Sequence, residues 1–149
     1  MTVYVIAAVV VVLFLIGAYR MMGAGANDGE DPHAVLTAVL DTATGTAKAL
    51  EAGPTTGDDA TSPHALRRTL DGCAQALERI AAIPVDVALD HARSALELAV
   101  DELAWSARLA EAPAYARDDA LQDAAVRLRS RGSMNLESAR SELGVKSQS

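Results

Sequence analysis

The chain has 149 residues, is 50% hydrophobic but only 3% aromatic, and carries a formal net charge of -7. That length holds one small domain, and the acidic balance excludes a general nucleic-acid binder, which needs a basic surface. Cys73 is the only cysteine, which excludes an intrachain disulfide and gives no sign of an oxidising compartment.

The apolar N-terminus comes first. Val3 to Tyr19 is a run of seventeen uncharged residues, roughly 25 Å long as a helix against a bilayer core of about 30 Å. Val11, Leu13, Phe14, Leu15 and Ile16 form its apolar body, and Tyr4 and Tyr19 stand where amphipathic rings favour the two interfaces. Arg20 can snorkel to the headgroups and let Met21 to Ala24 lengthen the span. The segment has no polar face, so it does not suit a core helix. We expect a single transmembrane anchor over residues 1–24, with the lipid bilayer as its partner.

The alternative is an exported domain released by cleavage after Ala26, because Ala24 to Ala26 reads AGA, a small-residue cleavage pattern. Two features oppose it. The leading residues Met1 to Tyr4 hold no Lys or Arg, and the apolar run exceeds the usual ~7–15 residues of a signal core. With Arg20 as the flanking cation, the positive-inside rule places the C-terminal side in the cytoplasm. The expected location is therefore the cell membrane, single-pass, with the remainder cytoplasmic.

Residues 25–31 are small and polar and read as a tether. The rest is rich in alanine and poor in strand formers, which predicts an all-α domain over 32–144. Eleven of the thirteen basic residues are arginine, a bias that fits a GC-rich, bacterial coding genome.

The first helix opens with Asp31 as N-cap and Pro32 at the first helical position. Leu36, Leu40, Ala43, Ala47 and Leu50 form its seam, and Gly53 suits the left-handed position that ends it. The device repeats at Ser62 and Pro63, followed by a heptad seam of Leu66, Leu70, Cys73, Leu77 and Ile80. After Pro84 a third helix spans about 85–111, with Leu89, Ala92, Leu96, Ala99, Leu103 and Ala107 or Ala110 on one face. Pro113 marks another break. A fourth helix carries Leu121, Ala124 or Ala125, and Leu128. Gly132 is read as weakening it, so that a short fifth helix follows from Met134 and ends at Gly144. Residues 145–149 are expected to form a disordered tail. Short connections predict antiparallel neighbours, hence a bundle of about four helices, and the sustained heptads also permit a coiled-coil dimer.

No catalytic constellation accompanies this pattern. The sequence lacks HExxH, GxSxG and GxxxxGK[ST], and of the two Glu-x-x-His pairs that a di-iron bundle needs it holds one alone, Glu30 with His33. The histidines read as surface or capping residues. Asp86, Asp90, Glu97, Asp101 and Glu102 read as a solvated face, partly offset by Arg93. We therefore expect no catalytic residue, no metal and no cofactor. Trp105 lies beside the third seam, either covering the core edge or anchoring a partner, and Tyr115 is equally open. Five basic residues against Glu137 and Glu142 make the end from Arg127 onward basic. Solvated helix face or docking surface are its two readings. Trp105, Tyr115, Arg127, Arg129 and Arg131 are the candidate contacts. The expected function is a membrane-anchored helical interaction or scaffold module without catalytic activity, binding an unidentified protein or itself. A small metal-binding or enzymatic bundle is the remaining alternative, unsupported by any motif.

Overall fold

A computed structural model describes residues 31–53 and 59–145. The expected anchor, nearly all of the tether and residues 146–149 lie outside the described residues. Among the described residues no helix is long and apolar enough to cross a membrane. They form four α-helices and no strand: α1 Pro32–Ala52, α2 Pro63–Ile80, α3 Val87–Glu111 and α4 Asp119–Glu142. Single 3₁₀ turns at Asp59–Thr61 and Tyr115–Arg117 lead into α2 and α4.

Each helix starts where an oxygen-bearing side chain meets the orphan amides of the first turn. Asp31 accepts from the His33 N–H at 3.0 Å, and Ser62 Oγ accepts from the Ala65 N–H at 3.2 Å. Two further caps were not read from the sequence. Asp86 accepts from the Leu89 N–H at 2.8 Å, and Asp118 accepts from both Ala120 and Leu121. Asp86 is thus a cap as well as an exposed acid. At the other end, Gly144 takes a φ of 65°. Its N–H reaches the Ser141 carbonyl and the Val145 N–H reaches that of Arg140, both at 3.2 Å, the paired bonds of a Schellman ending. Val145, assigned by sequence to the tail, packs on the core. Gly53 also has positive φ, 76°, but its ψ of 172° lies outside the expected left-handed helical basin.

The helices alternate in direction. The α3 C-terminus meets the α2 N-terminus through Arg67 Nε and Glu111 at 3.2 Å. At the opposite end the Arg93 guanidinium donates to the Ala81 carbonyl at 3.1 Å. Along α3 and α4, Ser106 bonds the Ala125 carbonyl whereas Glu102 bonds Asn135, so numbers fall on one helix as they rise on the other. Arg140 on α4 reaches Thr44 on α1. α1 packs against α2, and to an equal extent against α3 and α4.

All ten predicted seam positions of α1 and α2 are buried. The core is leucine and alanine, with Ala43, Ala92, Ala99, Ala107, Ala125 and Ala139 at or near zero exposure and no aromatic ring among its buried members. Small side chains bring the helices close and each contributes little apolar area.

One expectation is corrected here. The fourth helix does not break at Gly132, and among the described residues no separate fifth helix follows it; α4 is continuous from Asp119 to Glu142. Gly132 is buried against α3, and a Cβ built on it would lie 2.8 Å from Leu103 Cγ and 3.3 Å from the Ala99 carbonyl oxygen. The glycine serves close approach of two helices, and the packing it permits outweighs its poor helix propensity of about 1 kcal/mol.

Cys73 lies in the α2 seam, 5% exposed, and burial pushes its thiol above the usual 9.0. Once unfolded, the chain ionises this thiol near pH 9, whereas the folded chain holds its proton to higher pH. The stabilisation is therefore complete below that value and is lost as pH climbs through the raised one. Urea melts should show a larger fall in stability between pH 7 and pH 10 for the wild type than for Cys73→Ala. Equal falls would contradict this role.

Candidate functional site

The strongest surface feature lies between α2 and α3. At 1.5 Å per residue, the face from Leu70 on α2 to the C-cap Ala81 is about 16 Å long, three turns. Opposite it runs the face of α3 from Glu97 to Arg108. Facing positions 74, 81 and 104 are alanines, so the helices pack through their leucines beneath and leave a depression above. Its volume is about 390 Å3, and its floor is Leu70, Ala74, Leu77, Ala81, Val100 and Ala104.

The rim is acidic. Asp71 and Glu78 stand on the α2 side, Glu97 and Asp101 on the α3 side, and Arg108 is the one cation among the lining residues. The Arg108 guanidinium lies 4.8 Å from the centre of the Trp105 ring, a cation–π contact that draws it toward the outer side of α3. Arg67 approaches Asp71 at 3.6 Å and Arg93 approaches Glu97 at 3.7 Å. Both are long, partly exposed pairs within one helix, a geometry worth a few tenths of a kcal/mol. Each arginine has a second, closer partner at a groove end: Arg67 pairs with Glu111, and Arg93 with Asp90. The acidic character of the rim therefore survives its neighbours.

The predicted contact residues do not gather into one patch. Trp105 is 49% exposed and stands on α3 one residue beyond Ala104. It is an outer-face residue rather than a closed core edge. Leu98, 58% exposed, lies two turns before it on the same stripe. Tyr115 is half-buried in the turn before α4, where its carbonyl accepts from the Gln122 amide at 2.9 Å. The arginines divide between two sides of α4. Arg127 is exposed, and Arg131 on the same side donates to Glu102 at 2.8 Å. Arg129, about 200° further round from Arg127 at 100° per residue, lies 3.4 Å from Ser106 Oγ.

Glu102 corrects the reading of a uniformly solvated acidic face. It is 7% exposed and accepts from both Arg131 and the Asn135 amide, the latter at 2.9 Å. A carboxylate this covered is retained because both partners satisfy it. Glu102→Ala should lower stability by about 1–2 kcal/mol in urea melts, since it leaves the Asn135 amide without its acceptor between the helices. No loss would show that the pair is ornamental.

Among the described residues no group of three or more His, Cys, Asp or Glu is placed to hold a metal ion. His64 lies 3.3 Å from Glu111, and Arg67 reaches the same carboxylate. A second depression between the end of α1 and α4 holds about 470 Å3, but its lining mixes Glu51, Arg129, Ser130, Ser133 and Glu137 with Val126 and Met134. It has neither an apolar floor nor a single sign of charge.

No family model matches the chain, and the searches of curated proteins and of solved structures give no match either.

Proposed function

We propose that this protein is a non-enzymatic helical interaction module tethered to a membrane by its N-terminal segment. The observation that carries the binding half of this reading is the open apolar groove between α2 and α3, with Trp105 and Leu98 exposed on the adjoining stripe. Apolar floors with polar rims are the anatomy of protein interfaces, and Trp is enriched among the residues that dominate their energy. The membrane half rests on the uncharged run from Val3 to Tyr19 and its flanking Arg20. Tethering confines the bundle to a thin layer and raises its effective concentration toward a partner in the same membrane.

Crosslinking in native membranes followed by affinity capture of the full chain tests both halves. The reading expects sedimentation with membranes, an intact mass that includes Met1 or Thr2 onward, and a discrete protein adduct. A mature chain starting at Asn27 would contradict the anchor in favour of an exported domain. Absence of any adduct would contradict the interaction module.

A further inference from the structure

Given that reading, we infer that the groove between α2 and α3 receives a basic amphipathic helix from a protein partner. The floor and the rim make separate demands. The floor is apolar and about three turns long, which matches the stripe of one helix laid between two. A flat sheet edge finds no unpaired backbone here, because both walls are helices whose amides are satisfied internally.

The rim selects charge. Glu78 and Asp101 are exposed, on opposite walls. Asp71 and Glu97 add to them through only loose pairing with Arg67 and Arg93. Arg108 is engaged by Trp105. A docked helix with Lys or Arg on both flanks of its apolar stripe meets carboxylates on both sides, whereas an acidic helix meets like charge. A second copy of this chain is a poor occupant, because each brings a formal charge of -7 to the other.

The test uses the full chain in neutral detergent and two labelled peptides with the same leucine stripe, one flanked by Lys and Arg and its twin by Glu. Fluorescence anisotropy reads binding. The basic peptide should bind saturably and the Glu twin about tenfold or more weakly, as expected of several rim pairs acting together. Added salt should weaken the basic peptide. The double variant Glu78→Lys with Asp101→Lys should reverse the preference. Both sites are exposed, and circular dichroism of the variant confirms its helix content. Equal binding of the twins, failure of both to bind, or a double variant that binds the basic peptide like wild type each overturns the inference. So does a concentration-dependent dimer that excludes the basic peptide, since it assigns the groove to a second copy. Failure of both peptides leaves the adduct in native membranes as an independent reading, so the two proposals fail separately.

Discussion

Gly132→Ala is expected to destabilise the protein by about 1–2 kcal/mol, although alanine is the better helix former by about 1 kcal/mol. The added methyl meets Leu103 Cγ at 2.8 Å, Leu103 Cδ2 at 3.0 Å and the Ala99 carbonyl oxygen at 3.3 Å. Leu103 Cγ is a branch point, not the free end of a flexible chain, and the residue is fully buried. Either Leu103 leaves its rotamer or α4 moves away from α3, and both cost more than propensity returns. Gly132→Val adds a second branch and should lose about 3 kcal/mol or more. Gly45→Ala and Gly72→Ala supply the contrast. A Cβ at either position has nothing within 4 Å, so each should stabilise by about 0.5–1 kcal/mol. The mechanism is tested by a double-mutant cycle. In a Leu103→Ala background the atoms that meet the new methyl are gone, and Gly132→Ala should lose most of its cost. Urea melts that give the same cost in both backgrounds would contradict the contact.

The second large effect concerns two leucines separated by one residue. Leu96 is fully buried, and Leu98 is 58% exposed. Leu96→Ala should cost about 2–5 kcal/mol, because the transfer energy is lost and a cavity is left in the core. Leu98→Ala should stay within about 0.5 kcal/mol. For a domain of this size, with total stability of about 5–15 kcal/mol, the first change removes a large part of the margin. Denaturation midpoints that fall equally would show that the α3 face is assigned wrongly.

These positions show what was legible in the sequence. The seams of α1 and α2 repeat apolar residues at steps of three and four and start with an oxygen cap followed by proline. Every signal there agrees, and burial follows it. The caps of α3 and α4 were harder to read. Asp86 and Asp118 stand among other acids, so a cap and a solvated charge look alike in one dimension. Gly132 was misread for a related reason. Glycine in a helical pattern signals either a break or a close approach, and only the position of Leu103 on another helix separates the two. Glu102 adjoins Asp101 in the sequence, yet one is nearly covered and the other exposed. A step of about 100° round the helix makes that difference, and the facing Asn135 on α4 decides it.

The groove was not legible at all. It arises where alanines at 74, 81 and 104 coincide with Leu70, Leu77 and Val100 in one floor shared by two helices. Neither helix shows it alone, since alanine is as common at the other seams. Its acidic rim was visible only as scattered residues on two helices. Trp105 was the one residue near it that composition singled out, as the only tryptophan in the chain.

A photoreactive amino acid placed at Ala74, which is exposed in the groove, with the same group at Ser138 on α4 as control, addresses the central claim most directly. Irradiation of native membranes carrying the full chain should give a discrete protein adduct from Ala74 and none from Ser138. Adducts of equal yield from both positions, or none from Ala74, would contradict the groove as the docking surface.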